Sequence, residues 1–252
     1  PLGFAVIQVG HNEASNVYIR QKQKMAENLG YHFYHISLED DILQEELIHV
    51  IQELNEDVSI DGILVQMPLP KHIDAKIVQD AIDPEKDIDG LNALNGGKLL
   101  KGEDCLLPCT PSGIMTLLHE YQIPICGRHA VIVGRSELVG KPLALLLLNE
   151  NATVTICHSH TQNLEQYTKT ADILVCAVGK KDLIRGDMVK EGAVVIDVGM
   201  NRVDGKLYGD VDFENVKQKV SYITPVPGGV GPMTIAMLMN NVIKATEEQT
   251  RK

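Results

Sequence analysis

Long apolar runs are missing from this 252-residue chain, whose stretches such as Leu143 to Leu148 fall far short of the roughly 20 residues that cross a bilayer. A charged-then-apolar leader is missing too, so the sequence reads as a cytosolic protein without membrane contact. Surplus positive charge is lacking: the formal net charge is −11 and the pI near 5.2. That argues against a general nucleic-acid surface, which needs clustered Lys and Arg to displace counterions. No C-x-x-C pair occurs among the five cysteines, so neither a disulfide framework nor a zinc knuckle is suggested. Cys105 and Cys109 read instead as small buried hydrophobes. The nine histidines are scattered, and His158 and His160, alternating at a strand end, would point to opposite sides rather than at one metal. No metal is expected.

What is present is enough apolar residue, 44% against 23% charged, to bury a sizeable core in one large α/β domain or in two lobes flanking a cleft. Phe4 to Val9 reads as a short buried strand, and Ala14 to Leu29 as a helix stopped by Gly30. Tyr31 to Ile36 is a strand candidate. Leu43, Leu47, Val50, Ile51 and Leu54 fall at helical spacing, and Gly62 to Gln66 is again a buried strand. Between about Asp83 and Pro111 the pattern breaks into Gly, Pro, Asp and Asn, which reads as a long functional loop or an interdomain crossing. Alternation restarts with strand Ala130 to Val133, a helix from about Val139 to Asn149, strand Thr153 to Cys157, a helix after Asn163, and strands Ile173 to Ala177 and Ala193 to Val198. Such βαβ alternation favours parallel sheets covered by helices. The expected division is a first domain over 1–110, a second over 111–230, and a terminal helix over 231–252, roughly Met233 to Glu248, that packs back on the first.

Val131-Ile132-Val133-Gly134-Arg135-Ser136-Glu137-Leu138-Val139-Gly140-Lys141-Pro142 is a strand, a glycine turn and a helix start, which aims N–H groups and a helix dipole at a bound phosphate. It departs from G-x-G-x-x-G, and a plain tight turn would use the same glycines. The next strand ends Cys157-His158-Ser159-His160, with no Asp or Glu for a ribose 2′-hydroxyl. Arg135 and Ser159 offer a cation and a hydroxyl instead, which suggests NADP.

On the first helix Tyr18 and Lys22 share a face, while Arg20 and Lys24 turn away. A lysine in a partly apolar cleft can act as an acid or base, although the local residues alone favour an exposed lysine on an amphipathic helix. Gln66 stands at the carboxyl end of a parallel strand, where ligands bind in open α/β sheets. Asp87-Ile88-Asp89-Gly90 adds carboxylates suited to the aminopyrimidinone edge of a pterin, or simply to a turn. Thr224 to Thr234 carries three glycines, which would let a ligand approach the backbone, or would build a rigid loop.

Together Tyr18-Ile19-Arg20-Gln21-Lys22, Asp61 to Pro70, Pro84 to Gly90, Pro108-Cys109-Thr110-Pro111, Gly134-Arg135-Ser136 and Pro227 to Thr234 resemble the methylenetetrahydrofolate dehydrogenase/cyclohydrolase family over nearly the whole chain. The resemblance implies an N-terminal αβα folate-binding lobe, a C-terminal Rossmann-like lobe for NADP, and a homodimer in one-carbon metabolism and purine biosynthesis. It implies catalytic roles for Lys22, Tyr18, Gln66 and Asp89, the last holding the pterin. Substrate contacts follow at Tyr18, Lys22, Val65, Gln66, Met67, Asp89, Pro227, Gly228, Gly229, Val230 and Gly231, and cofactor contacts at Gly134, Arg135, Ser136, Ser159 and Met200. Met200 stands where Ile is more usual, a mild change if only main chain is used. Members also begin with a further strand and helix ahead of the position Pro1 holds. The implied reactions are oxidation of 5,10-methylenetetrahydrofolate with NADP and hydrolysis of the methenyl product to 10-formyltetrahydrofolate. The rivals are a monofunctional or NAD-using dehydrogenase, a folate-binding protein that has lost chemistry, and a shikimate-type dehydrogenase.

Overall fold

The structure is a computed structural model that describes residues 2–251, the side chain of Ala14 apart. The chain divides into two compact units, residues 1–109 with 235–252, and residues 110–234. Pro1, on which the comparison of chain starts rests, lies outside the described residues.

In the first unit β1 (Gly3–Val9) is buried along its whole length. It is followed by α1 (Glu13–Leu29), β2 (His32–Leu38), α2 (Gln44–Glu56) and β3 (Gly62–Val65). The three strands form a parallel sheet in the order β2-β1-β3. Alternation along β1 sends Phe4 and Val6 to one face, against Ile19 and Ala26 of α1, and Ala5, Ile7 and Val9 to the other, against Leu47 and Ile51 of α2. Each of the buried Phe, Val, Ile and Leu side chains contributes about 1.5–3 kcal/mol, so two covered faces account for an unbroken apolar run. α1 begins at Asn12, whose side chain accepts from Ser15 N, and stops at Gly30, which takes the left-handed φ of 73°.

Three helices depart from the sequence expectation: α3 (Ala75–Ala81), α4 (Ala93–Lys101) and α5 (Cys109–Glu120). α4 falls within the span read as irregular, and α5 begins at its end. α4 is capped by Asn92, which accepts from Leu94 N at 2.8 Å, and ends at Gly102 with φ 70°. Gly96 and Gly97 inside it weaken the helical pattern, and the two caps offset that loss.

The second unit holds β4 (His129–Val133), α6 (Gly140–Asn149), β5 (Thr153–Cys157), α7 (Leu164–Thr168), β6 (Ile173–Cys176) and β7 (Val194–Asp197). A hairpin of β8 (Asn201–Val203) and β9 (Lys206–Tyr208) follows, then α8 (Phe213–Val216), β10 (Tyr222–Ile223) and α9 (Val230–Thr250). The sheet is parallel, in the order β10-β7-β6-β4-β5. Ala130, Ile132 and Val175 pack on one face with Ile114 and Leu118 of α5 and Leu143 and Leu147 of α6. Val131, Val133 and Leu174 pack on the other with Ile184, Met188 and Val216. The order of strands reverses at β4, whose next neighbours β5 and β6 lie on opposite sides of it. That reversal opens a crevice at the carboxyl ends of β4 and β6, the place where doubly wound sheets take ligands.

Candidate active site and nucleotide site

In the first unit the site grows from two strand ends. β3 stops at Val65, and Gln66 N donates to Ile7 O at 2.8 Å, which fixes the first residue beyond the strand. Gln66 Oε1 accepts from Lys22 Nζ at 2.9 Å, and Gln66 Nε2 donates to Met67 O at 3.0 Å. The carboxamide is thereby oriented with its oxygen toward the lysine. Ser15 Oγ also donates to Met67 O, at 3.2 Å. Tyr18 and Lys22 are half-buried on α1, while Arg20 and Lys24 are exposed, so the helical face singles out the residues it was expected to.

The 86–89 segment runs beside β3. Ile63 N donates to Lys86 O at 2.7 Å and Ile63 pairs with Asp87 in a parallel bridge, which carries Asp89 alongside the end of the strand. Gly62 is what permits this approach, because a Cβ there would overlap the side chain of Ile88. The two carboxylates have separate tasks. Asp87, 1% exposed, accepts from Gly90 N, Asn92 N and Asn95 Nδ2 at 3.1, 2.8 and 3.0 Å, and so builds the turn. Asp89 faces Lys22 and the thiol of Cys109.

Burial lowers the pKa of Lys22 from that of an ordinary lysine, and the charge of Asp89 opposes the shift. Burial likewise raises Asp89, against the pull of Lys22 and a hydrogen bond from Cys109. Both shifts favour the neutral amine, and a neutral amine can accept a proton. Cys109 is buried as expected of a small hydrophobe, but it does more: its thiol donates to Ile88 O at 3.3 Å and is pushed well up by burial, so it stays protonated beside Asp89. Asn241 of α9 donates to Ile88 O and Leu107 O at 2.9 Å each and pins the same loop. Neither role was visible in the sequence, because the partners lie far apart along the chain.

Burial pushes Asp87 up to about 6, even though the N–H donors of Asn92 and Asn95 pull it down. Its native pKa thus exceeds the unfolded value of 3.8, and the folded chain holds a proton that the unfolded chain has released. The stability this gives is complete below pH 3.8 and is lost as pH rises through about 6. At 1.36 kcal/mol per unit the loss is at most about 3 kcal/mol. Asp87→Asn is expected to lose less stability than the parent between pH 4 and pH 7 in urea unfolding. An unchanged difference would refute the assignment.

The remaining substrate expectations fall differently. The Val65 side chain, 4% exposed, lies in the core of the first unit, so only its main chain can meet a ligand. Pro227 to Gly231 belong to the second unit, beyond β10. There the Val230 side chain is a core residue at 4% exposure, so only its main chain is free to face a ligand. The three glycines of this segment are not equivalent. Gly228 adopts φ 100°, a Cβ on Gly229 would strike Thr224 and Pro225 of its own loop, and Gly231 alone, at the start of α9, combines open space with an ordinary φ. Val226–Pro227 and Met67–Pro68 are cis.

In the second unit Gly134 sits at the strand-order reversal with φ 133°, and a Cβ there would collide with Ala177 O of the neighbouring strand end. Gly134 N donates to Cys157 O at 2.9 Å, and β4 pairs with β5 up to Val133 and Cys157. Arg135 and Ser159, both exposed, therefore leave adjacent strand ends. Ser136 Oγ accepts from Val139 N at 3.1 Å and Gly140 N at 3.4 Å, and Ser136 O accepts from Lys141 N at 3.0 Å. Those amides were expected to face a phosphate, and the turn uses them itself. Pro142 has no N–H to add. Met200 is exposed beyond β7. His158 and His160 do not diverge as alternation along a strand would require: β5 ends at Cys157, the chain turns, and the rings stand 6.0 Å apart with His160 N donating to His158 Nδ1. Among the described residues no group of three or more His, Cys, Asp or Glu is placed to hold a metal ion, and no helix is long and apolar enough to cross a membrane.

A lysine–carboxamide pair in one α/β unit and a doubly wound dinucleotide-type sheet in the other define a two-domain nucleotide-dependent enzyme. Residues 1–89 match the tetrahydrofolate dehydrogenase/cyclohydrolase catalytic domain and residues 108–250 the NAD(P)-binding domain of the same family, and the chain belongs to that family. It is 56% identical over 246 residues to the bifunctional protein FolD of Bacillus pumilus, covering 97% of this chain and 87% of that one. The crystal structure of the bifunctional methylenetetrahydrofolate dehydrogenase/cyclohydrolase of Campylobacter jejuni superposes with a TM-score of 0.97 at 49% identity, covering 98% and 88% of the two chains. The Trypanosoma brucei enzyme, complexed with NADP cofactor and inhibitor, gives 0.95 at 39% identity over 100% and 88%. Membership in this family sets aside the shikimate-type alternative, which shares fold alone.

Proposed function

We infer that the protein oxidises 5,10-methylenetetrahydrofolate to 5,10-methenyltetrahydrofolate with NADP and hydrolyses that product to 10-formyltetrahydrofolate. The observation that carries the reading is the 2.9 Å contact of Lys22 Nζ with Gln66 Oε1, on an amine whose pKa burial has lowered. Tyr18, Lys22, Gln66 and Asp89 are the catalytic set. Substrate is held by these four and by the main chain at Val65 and Met67.

The residues of the second unit fit NADP. Gly134 places no side chain against Ala177 at the strand ends, and Arg135 with Ser159 suits a 2′-phosphate where a carboxylate for a 2′-hydroxyl is lacking. When bound, NADP supplies the ring that accepts the hydride. Gly134, Arg135, Ser136, Ser159 and Met200 bind and orient it, and alignment of the reacting atoms supplies much of the acceleration.

Loss of hydride from the methylene carbon leaves the methenyl cation. A charged ammonium would repel that cation, so the burial that lowers the Lys22 pKa, and so favours the neutral amine, serves both steps. For hydrolysis, neutral Lys22 accepts a proton from water as the C–O bond forms at the methenyl carbon. It then returns the proton to the ring nitrogen as the C–N bond breaks, the added hydroxyl gives up its own proton to solvent as the formyl C=O forms, and 10-formyltetrahydrofolate is released. Gln66 Oε1 holds one amine N–H and thereby sets the direction of the lone pair. Asp89 binds the pterin edge and keeps the lysine from losing all proton affinity. The same reading has the protein act as a cytoplasmic homodimer that feeds one-carbon units to purine biosynthesis, without nucleic acid or membrane partners.

The test is an absorbance assay with methylenetetrahydrofolate and NADP or NAD in parallel, followed by methenyl hydrolysis without nucleotide on the same preparation. NADP-dependent appearance of the methenyl chromophore and its nucleotide-free decay are expected. Failure of the first sinks the dehydrogenase, and failure of the second leaves a monofunctional enzyme.

A further inference from the structure

Two carboxylates of the second unit take no part in the chemistry above, yet Asp210 is fully buried and Asp197 only 3% exposed. Asp210 accepts four N–H groups. Its Oδ2 takes Val178 N at 2.7 Å and Gly179 N at 3.0 Å, and its Oδ1 takes Lys180 N at 2.8 Å and Asn201 Nδ2 at 3.0 Å. Residues 178–180 leave the carboxyl end of β6, and Asn201 follows Met200 beyond the neighbouring β7. One carboxylate thus fastens two adjacent strand-end loops to each other. Asp197 secures the segment that carries it, accepting from Gly199 N, Asp210 N and Val211 N at 3.0, 2.9 and 3.0 Å. The fit is tight enough that a Cβ on Gly199 would overlap Asp210, and one on Gly209 would overlap Asp197.

These loops present two large apolar side chains outward, next to the exposed Lys180. Val178 is 46% exposed and Met200 47%, although buried groups hold the backbone beneath them. With the N–H groups of 178, 179 and 180 all spent on Asp210, this wall offers no backbone donors to a phosphate. It suits the face of a flat ring rather than a phosphate. It also borders the crevice at the strand-order reversal, since Ala177, against which Gly134 closes, immediately precedes Val178.

We propose that Asp210 is the positioning residue of the NADP site, holding Val178 and Met200 as one fixed wall for the nicotinamide half of the nucleotide. The inference rests on the reading that NADP binds at these strand ends. Asp210→Asn turns one acceptor oxygen into a donor facing N–H groups. The KM for NADP is expected to rise about tenfold or more, the loss of one to two charge-assisted hydrogen bonds, while nucleotide-free methenyl hydrolysis stays within about twofold. Amide exchange at Val178 to Lys180 accelerates in the same variant. Asn201→Ala, which removes a single donor, is expected to move the NADP KM the same way by about threefold to tenfold, and it decides the matter if Asp210→Asn does not fold. An unchanged NADP KM, or an equal fall of both activities, overturns the proposal. A parent enzyme inactive with NADP would sink the functional reading instead, and amide exchange at 178–180, which needs no turnover, would still test the clamp.

Discussion

Lys22→Met is expected to slow hydrolysis of methenyltetrahydrofolate by about 10²- to 10⁴-fold, the usual contribution of a positioned acid–base group. Hydride transfer is expected to fall far less, because no proton has to move as the hydride departs. Methionine preserves the apolar stem that packs on α1 and removes only the amine, so the variant separates proton transfer from packing. Lys22→Arg is expected to be as poor as methionine in hydrolysis, since a guanidinium keeps its proton and repels the cationic substrate. The pH profile gives an independent reading. Desolvation lowers Lys22 and Asp89 raises it, so the parent's hydrolysis rate climbs with pH through the lowered lysine pKa. Asp89→Asn removes the opposing charge and moves that limb to lower pH, in addition to weakening pterin binding. Full hydrolytic rate in Lys22→Met, or a limb that stays put in Asp89→Asn, would remove the lysine from the mechanism.

That site was legible where sequence distance is short. Four-residue spacing put Tyr18 and Lys22 on one helical face, and the end of a buried strand put Gln66 at the ligand-binding edge, but that Lys22 and Gln66 meet was implied only by the family resemblance. Asp87 and Asp89 were visible as a pair, but only the bridge of Ile63 with Asp87 shows which one builds the turn and which one faces the lysine. Asn241 reaches Ile88 across 153 positions, and Asp210 reaches Val178 across 32. No periodicity or turn signal encodes such contacts, because they exist only once the sheets are assembled. Other omissions had a local signal. Asp204-Gly205, with φ 48° and 76°, is a hairpin turn of the favoured type between β8 and β9, and Asn92 with Gly102 bracketed α4. In α4 the glycine pair outweighed the caps on composition, whereas in the folded chain Leu99 and Asn95 are buried and tertiary packing decides. The loops at the strand ends were least legible of all: their backbone amides have side-chain partners, and a sequence shows the donor types without showing where they are spent.

Replacing Arg135 and Ser159 together by alanine is the second change with a large expected effect. A guanidinium and a hydroxyl on a phosphate form charge-assisted hydrogen bonds of about 1.5–3 kcal/mol each, so NADP affinity is expected to fall about 10²-fold or more. NAD has no 2′-phosphate, and its affinity should hardly move. The pairing of β4 with β5 makes the two residues neighbours at adjacent strand ends, so their contributions are coupled and the double variant should lose less than the sum of the singles. Both residues are exposed, which adds a salt dependence: NADP affinity in the parent falls with ionic strength, and in the double variant that slope is shallower. Ser159→Asp carries the logic further. It places at the end of β5 the carboxylate that a ribose 2′-hydroxyl recognises and that repels a phosphate, and it is expected to reverse the preference toward NAD. Titration of both nucleotides into the parent, the two single and the double alanine variants, and Ser159→Asp measures the ratio directly. Equal losses for NADP and NAD would show that Arg135 and Ser159 support the turn and do not read the phosphate.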